Sequence, residues 1–267
     1  MGIAARHAAA VPGTRLPPGT TVNIGYIDLE DLTARVDAVR AVARAGWTPM
    51  PHVSARRLSS AGELSRYLDL LQGEGATAQV FVVGGDPSEP QGPYATALDV
   101  IRSGELERHG VRSIGFGGYP EGHPGIPEAA LDAALAEKAR FLDEEGRGGE
   151  IITQLSLDPE AVLAWIARVR DRGIELPIRV GVAGPVRTEA LLGLAQRFGA
   201  RTAGGVAERY GLDEARPEAI VTASRFVEAL ASQIDPARHG VVGLHAFTFD
   251  GLAETAEWIV GIERSAG

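Results

Sequence analysis

Most side chains that could do chemistry in this chain lie in short polar or glycine-rich segments. The densest segment is GFGGYPEGHP at residues 115–124, which holds an aromatic ring, a carboxylate and a histidine beside two prolines. Proline restricts the backbone on both sides of Glu121 and His123, which favours a preorganised binding loop over a flexible connection. The competing interpretation is a rigid turn in which these two side chains hydrogen-bond each other. A zinc pair is not predicted, because no second histidine lies at ligand spacing and the chain has no cysteine.

Four other polar residues are candidates, each with a plainer alternative. Asp86 follows two glycines that allow a main chain or a flat ligand to approach closely, although aspartate before proline is also a common turn residue. A lone histidine between apolar residues, such as His52, is more often a packed core group than a functional one. Gln154 lies in an apolar run, so its amide either satisfies the main chain or contacts the hydrogen-bonding edge of a ligand. Lys138 follows Glu137 on a charged helix, a pattern typical of a solvated face.

The elements that position these residues follow an alternating order. Short β-branched runs alternate with amphipathic stretches, and the runs lie at residues 21–27, 47–55, 78–85, 112–118, 150–157, 176–184 and 240–249. Such alternation predicts a parallel sheet with right-handed crossovers. Each polar segment directly follows a strand, which is where a TIM (β/α)₈-type barrel builds its active site. An open doubly wound sheet is the alternative, but no G-x-G-x-x-G follows the first of these strands.

The predicted fold class is therefore α/β, a TIM (β/α)₈-type barrel with seven clear strand–helix units. Its first strand is predicted to be absent or atypical, since residues 1–20 have the composition of a loose tail. Residues 21–267 are predicted to form a single barrel domain. A barrel without its first strand would expose two strand edges, which predicts a homo-oligomer or a partner chain that covers them.

Composition narrows the class of partner. The 267-residue chain has a formal net charge of −9, which argues against a nucleic-acid or anionic-membrane surface. The lack of cysteine excludes disulfides, thiolate nucleophiles and cysteine metal sites. No apolar run is long enough to span a bilayer, so the expected location is the cytoplasm.

The ordered series of segments resembles one family. MPHVSA, VVGGDP with Tyr94 after it, GGYPEGHP, Lys138 and IITQLSLD follow one another on successive strands, as in the methylenetetrahydrofolate reductase family. The resemblance covers residues 22–250, and YPEGHP followed by ITQ is its most specific part. It implies a flavin-dependent TIM barrel of one-carbon metabolism. Such an enzyme passes hydride from NAD(P)H through FAD to 5,10-methylenetetrahydrofolate.

The resemblance also implies roles for individual residues. Asp86 and Gln154 are expected to be catalytic and to contact the folate, with the Asp86 carboxylate stabilising a cationic 5-iminium and the Gln154 amide contacting the pterin or the nicotinamide. Lys138 and His123 are expected to balance the negative charge of the flavin and its pyrophosphate. The residues expected to line FAD are Gly25, Tyr26, His52, Gly85, Asp86, Tyr94, Tyr119, His123 and Lys138.

Three departures from the family lie on the substrate side. The family places its general acid, a glutamate, on the first barrel strand, whereas this chain has no glutamate before Glu30. Glu30, Asp28 and Glu121 are the candidates to replace it, and Glu30 is the one we assign. Glycine stands at residue 84, where a basic residue is expected, and HAFTFDG lacks the arginine expected after the last strand. The departures favour as an alternative a folate-binding one-carbon transferase or a catalytically silent subunit of a complex.

Overall fold

The computed structural model describes residues 1–26, 31–197, 210–213, 215–249 and 251–266. The strands, numbered in chain order, are β1 (Gly2–Ile3), β2 (Thr21–Ile24), β3 (Thr48–Ser54), β4 (Gln79–Val83), β5 (Ser113–Gly118), β6 (Gly148–Leu155), β7 (Ile178–Ala183), β8 (Val186–Arg187), β9 (Ile220–Val221) and β10 (Val242–Phe247). Eight of them close into a barrel in the order β1-β10-β7-β6-β5-β4-β3-β2, whereas β8 and β9 form a separate antiparallel pair. The predicted TIM-type α/β barrel is confirmed.

Helices follow the barrel strands along the chain. They are α1 (Leu32–Arg44), α2 (Ala61–Gly73), α3 (Ala97–Arg102), α4 (Glu105–Arg108), α5 (Glu128–Glu144), α6 (Pro159–Asp171), α7 (Thr188–Arg197), α8 (Ser224–Ala231), α9 (Pro236–His239) and α10 (Leu252–Ala266), with 3₁₀ helices at Ala5–Gly13 and Ala55–Arg57. Within the described ranges, no helix combines the length and the apolarity that a membrane crossing requires.

The first strand corrects the sequence-based expectation. Gly2–Ile3 pairs in parallel with β2, and the main-chain carbonyls of Met1 and Ile3 accept hydrogen bonds from Asn23 N and Gly25 N at 2.7 and 2.8 Å. Residues 1–20 are therefore not a loose tail, and the barrel does not lack a strand. The strand escaped prediction because two residues are too few to show an alternating or β-branched pattern.

Two helical segments are interrupted or shortened. The segment after β4 is split into α3 and α4 at Gly104, whose φ of +77° is incompatible with helix continuation. Helix α8 starts only at Ser224, after the short strand β9.

The chain divides into two compact units, residues 1–117 with 140–150 and residues 118–139 with 151–267. In the first unit, α1 begins at the N-cap Asp31, whose carboxylate accepts from Ala34 N at 2.7 Å. In the second unit, α6 begins at the N-cap Asp158 and has Pro159 in its first turn, where the missing N–H costs nothing. These caps fix where each helix starts, and so they fix the length of the loops that carry the candidate residues.

Candidate functional site

The loop after β5 is tied to the start of α6 by one carboxylate. Glu121 Oε1 accepts hydrogen bonds from the main-chain N–H groups of Leu157 and Asp158 at 2.6 and 3.2 Å. Gly122 has a φ of +81°, which turns the chain back directly after Glu121. The loop is thus a fixed structure rather than a simple connection. Glu121 acts as an anchor, which removes it from the candidates for the missing acid.

His123 makes a different contact from the hydrogen bond with Glu121 that the competing rigid-turn interpretation requires. Its Nδ1 accepts from Gly125 N at 3.1 Å, so the neutral imidazole carries its proton on Nε2 and presents that N–H as a donor. The Tyr119 ring meets the His123 ring edge to face, with 5.5 Å between centroids. The two side chains expected to contact a cofactor are therefore held against each other.

A cleft lies between this loop and the end of β6. It is lined by residues 119–122 and 154–157. Gln154 Oε1 accepts from Leu155 N at 3.1 Å, so the amide oxygen is held by the main chain and Nε2 is the donor that Gln154 can offer to a ligand. The predicted residues Tyr119 and Gln154 thus line one cleft.

A β-bulge in β6 sets the position of Gln154. The register of β6 against β7 shifts between Ile152 and Leu155. Thr153 Oγ1 accepts from Gly181 N at 2.8 Å, and Tyr210 donates from its hydroxyl to Ser156 O at 2.7 Å. Burial raises the pKa of Tyr210 well above its usual value, which keeps this hydroxyl protonated as a donor.

Lys138 lies on α5 and is not an ordinary surface lysine. Burial of its ammonium lowers the pKa of Lys138 to about 8, because removing water disfavours the charged form. The side chain therefore keeps a positive charge at neutral pH that water stabilises poorly. Such a cation interacts strongly with an anionic ligand.

In the first unit, His52 lies on β3 with its ring 4.7 Å from the Phe81 ring of β4. Arg35 Nη2 donates to the His52 main-chain oxygen at 2.7 Å. Burial, with a smaller contribution from the Arg35 charge, lowers the pKa of His52 to about 3. The imidazole is therefore neutral at physiological pH and is both a donor and an acceptor.

The loop after β4 holds Gly85 and Asp86. Gly85 has a φ of +94°, and a Cβ there would collide with Ser54 Oγ, so only glycine fits. The Asp86 carboxylate is 89% exposed and lies 3.3 Å from Arg57 Nη2. An ion pair this exposed contributes little to stability, so the carboxylate is held only loosely and is accessible.

The remaining predicted residues have varied surroundings. Tyr26 is half-buried, with the Arg35 guanidinium 4.0 Å and the Arg57 guanidinium 5.2 Å from its ring centroid. Gly25 N donates a hydrogen bond to Ile3 O at 2.8 Å, and a Cβ added at Gly25 would be in ordinary contact with the same oxygen. Tyr94 is buried, and burial, with the nearby Glu105 charge, raises its pKa. Glu30 and Asp28, proposed as replacement acids, lie outside the described residues.

Sequence reasoning missed Arg35, Arg57 and Tyr210. Arg35 left a signal, because it lies three residues after Leu32 and four before Val39, on the apolar face of α1. A charged residue on that face indicates a buried, partnered cation. The other two left none, since their contacts depend on loops distant in sequence.

We expect Glu121→Ala to lower the free energy of unfolding by about 2 kcal/mol, because two main-chain N–H groups lose a charged acceptor. Urea denaturation measures this change. Glu160→Ala is the matched control, because Glu160 is an exposed carboxylate in the first turn of the same helix. If both variants lose the same small amount of free energy of unfolding, the hydrogen bonds of Glu121 contribute no more than the interaction of a carboxylate with the helix dipole.

Part of this chain is similar in sequence to two known proteins. Methylenetetrahydrofolate reductase 2 of Saccharomyces cerevisiae is 29% identical over 119 residues, which cover 42% of this chain and 19% of that protein. The probable methylenetetrahydrofolate reductase (NADH) of Oryza sativa subsp. japonica is 30% identical over 115 residues, covering 39% of this chain and 19% of that protein. The aligned part is thus about a fifth of the length of these relatives.

A solved structure and a family model complete the comparison. The match to lysine/ornithine decarboxylase from Vibrio vulnificus covers 92% of this chain and 62% of that chain at 12% identity. Its TM-score is 0.38, which is too low to support a conclusion. The family model described as methylenetetrahydrofolate reductase matches residues 30–259, which is most of the chain and includes the loop at residues 119–123 and Gln154. The chain therefore belongs to the methylenetetrahydrofolate reductase family.

Proposed function

We propose that this protein is a flavoprotein of folate metabolism that transfers hydride from NAD(P)H, by way of FAD, to a folate-bound one-carbon unit. The observation that carries the proposal is the anchored loop of Tyr119 and His123, which shares a cleft wall with Gln154. Glu121 makes this arrangement rigid, and rigid placement of donors is what a cofactor site requires.

The donors of the second unit fit the chemistry of FAD. His123 offers an Nε2–H and Lys138 offers a poorly hydrated positive charge, both of which suit a phosphate or an anionic ring edge. Tyr119 offers a ring face that is fixed by His123. When bound, FAD would supply the carrier that accepts and releases hydride.

The residues of the first unit also suit a flavin. The neutral His52 imidazole donates and accepts without adding charge, and Gly85 lets a planar ligand approach the main chain. Gly25, Tyr26, Tyr94 and Asp86 complete the set that we assign to FAD by family likeness.

We assign Asp86 and Gln154 to the folate. The exposed Asp86 carboxylate stabilises a cationic one-carbon form electrostatically, and the Nε2 donor of Gln154 binds a carbonyl or ring nitrogen acceptor. Glu30 is assigned as general acid, a role typically worth about 10²–10⁴-fold in rate. The strand β1, which carries no carboxylate, leaves that role to another residue.

A second candidate function rests on the same strand. Because β1 is present but has no acid, the chain could bind a folate without reducing it, as a one-carbon transferase or a silent subunit of a complex. The closed strand order removes the open edge that predicted a covering partner. Self-association, a cytoplasmic location and a single domain over residues 21–267 stay predictions.

Flavin loading and reduction test the proposal. We expect the purified protein to be yellow, or to become so on addition of FAD, and to lose its blue-light absorbance when NADH or NADPH is added without oxygen. Parallel titrations with the two nucleotides determine which one is used. A colourless protein that does not bind added FAD would contradict the proposal. Folate binding without nucleotide oxidation would favour the second candidate.

A further inference from the structure

Arg35 is a buried cation on α1 whose contacts are aromatic rings and a main-chain carbonyl. Only 5% of the residue is exposed. Its guanidinium lies 4.0 Å from the Tyr26 ring centroid and 4.1 Å from the Tyr67 ring centroid, and Nη2 donates to His52 O at 2.7 Å. Within the described part of the chain, Arg35 forms no ion pair with a carboxylate, and Nε has no hydrogen-bond partner.

This environment is costly if Arg35 only fills space. Burying an arginine without a carboxylate carries a large desolvation penalty, and an apolar side chain of similar volume often gives equal or greater stability. Two cation–π contacts offset part of that penalty, at up to about 2 kcal/mol each when desolvated. An aliphatic side chain would pack between the rings without the penalty, so packing alone does not explain the charge.

Only a guanidinium can join the three elements that meet here, which are α1, β3 and the segment that follows β2. β2 ends at Ile24, so β3 has no β2 residue paired with His52. Arg35 Nη2 bonds the His52 carbonyl beyond that point, while the plane of the same group lies against Tyr26, two residues after β2. A planar cation with several N–H groups makes both contacts at once, which a lysine ammonium does poorly.

We propose that Arg35 is a positioning residue that locks the Tyr26 ring and the His52 main chain in the arrangement that binds the flavin. The identity of the ligand in this inference rests on the proposed function. The locking itself rests on contacts among residues of the first unit. Among the described residues, the groups that face His52 are Arg35 from α1 and the uncharged Phe81 ring from β4. The positive charge of Arg35 also lies next to the His52 imidazole, which is already neutral because it is buried.

The test compares Arg35→Met, Arg35→Lys and a destabilising control on the same helix. Val39→Ala is that control, because Val39 is fully buried on α1 one turn further along. Tyr67→Phe keeps the ring that Arg35 contacts and removes only the hydroxyl, which interacts electrostatically with the Arg35 side chain. The measured quantities are the thermal midpoint of each ligand-free variant and its Kd for FAD.

We expect Arg35→Met to raise the Kd for FAD about tenfold, equivalent to roughly 1.4 kcal/mol, while changing the thermal midpoint less than Val39→Ala does. Arg35→Lys should recover part of the affinity. Val39→Ala and Tyr67→Phe should bind FAD like the wild type. The proposal is overturned if Arg35→Met binds FAD with the Kd of the wild type. It is also overturned if Val39→Ala weakens FAD binding as much as Arg35→Met does, relative to the loss of stability that each variant shows.

A measurement without ligand separates this inference from the proposed function. In NMR spectra of the ligand-free protein, Arg35→Met should shift the Tyr26 ring protons and the His52 carbonyl carbon, whereas Val39→Ala should leave both unchanged. If the wild type fails to bind FAD, the proposed function is wrong and these spectra still decide whether Arg35 positions the two residues. Unchanged Tyr26 and His52 signals in Arg35→Met would show that it does not.

Discussion

Replacing Lys138 by methionine is expected to stabilise the ligand-free protein and to weaken its binding of FAD. The partly buried ammonium has a pKa lowered to about 8, so its charged form costs free energy in the folded state at neutral pH. Removing it should raise the free energy of unfolding by about 1–3 kcal/mol. Losing a charge-assisted contact to an anionic cofactor should raise the Kd for FAD about 10- to 100-fold.

The lowered pKa of Lys138 also predicts the direction in which the free energy of unfolding changes with pH. Since the folded pKa of about 8 lies below the ordinary 10.5, the unfolded chain holds this proton over a range in which the folded protein has lost it. The free energy of unfolding therefore gains a contribution from Lys138 as the pH rises from about 8 towards 10.5, and that contribution is absent below about 8. Urea denaturation at several pH values should show a steeper rise for the wild type than for Lys138→Met.

Arg140→Met is the matched control for Lys138→Met. Arg140 lies two residues further along α5 and is exposed, so its loss should change neither stability nor FAD affinity by a measurable amount. Equal effects of the two substitutions would indicate a general charge effect on an acidic protein. A Lys138→Met variant that is less stable than the wild type and binds FAD normally would contradict the assigned role.

Gly181→Ala is expected to be among the most damaging substitutions of a single methyl group. A Cβ at this position would lie 2.6 Å from Thr153 O, 2.8 Å from Gln154 O and 2.7 Å from the Phe247 ring. Two of these neighbours are main-chain atoms at the β6 bulge, so relief requires β6 to move. We expect a loss of about 3 kcal/mol in the free energy of unfolding, at the upper end of ordinary overpacking.

The displacement should also reach the candidate site, because Gly181 N donates to Thr153 Oγ1 directly before Gln154. Folate affinity should therefore fall more than FAD affinity. Gly193→Ala is the control, since Gly193 lies in α7 with no heavy atom within 4 Å of the place a Cβ would take, and it should gain about 0.5–1 kcal/mol. A stable Gly181→Ala variant with normal folate binding would show that β6 tolerates the shift and that the bulge does not position Gln154.

Long alternating segments made the barrel predictable. β4 and β7 are largely apolar, valine-rich runs, and helices such as α1 and α2 show the spacing that buries one face. β1 was missed because its two residues gain their strand geometry from pairing with β2 rather than from local preference. The general limit is that a short strand held by its neighbour leaves no periodic signal in the sequence.

The loops of the candidate site could be predicted from the sequence, whereas the contacts that hold those loops in place could not. GFGGYPEGHP indicated a preorganised loop through its prolines, and the structure shows that loop held by Glu121. The partner of Glu121 could not be predicted, because main-chain N–H groups at Leu157 and Asp158 carry no sequence signature. Arg35 was detectable only as a charge on the apolar face of α1, and its contacts with Tyr26 and Tyr67 needed the fold.

The oxidative half-reaction tests the central proposal most directly. The protein, loaded with FAD and bleached by a stoichiometric amount of reduced nicotinamide nucleotide without oxygen, is mixed with 5,10-methylenetetrahydrofolate. We predict that the flavin absorbance returns and that an equal amount of 5-methyltetrahydrofolate appears on chromatography. If the absorbance returns with a general electron acceptor but not with the folate, the chain is a flavoprotein that does not reduce this substrate, and the account is contradicted.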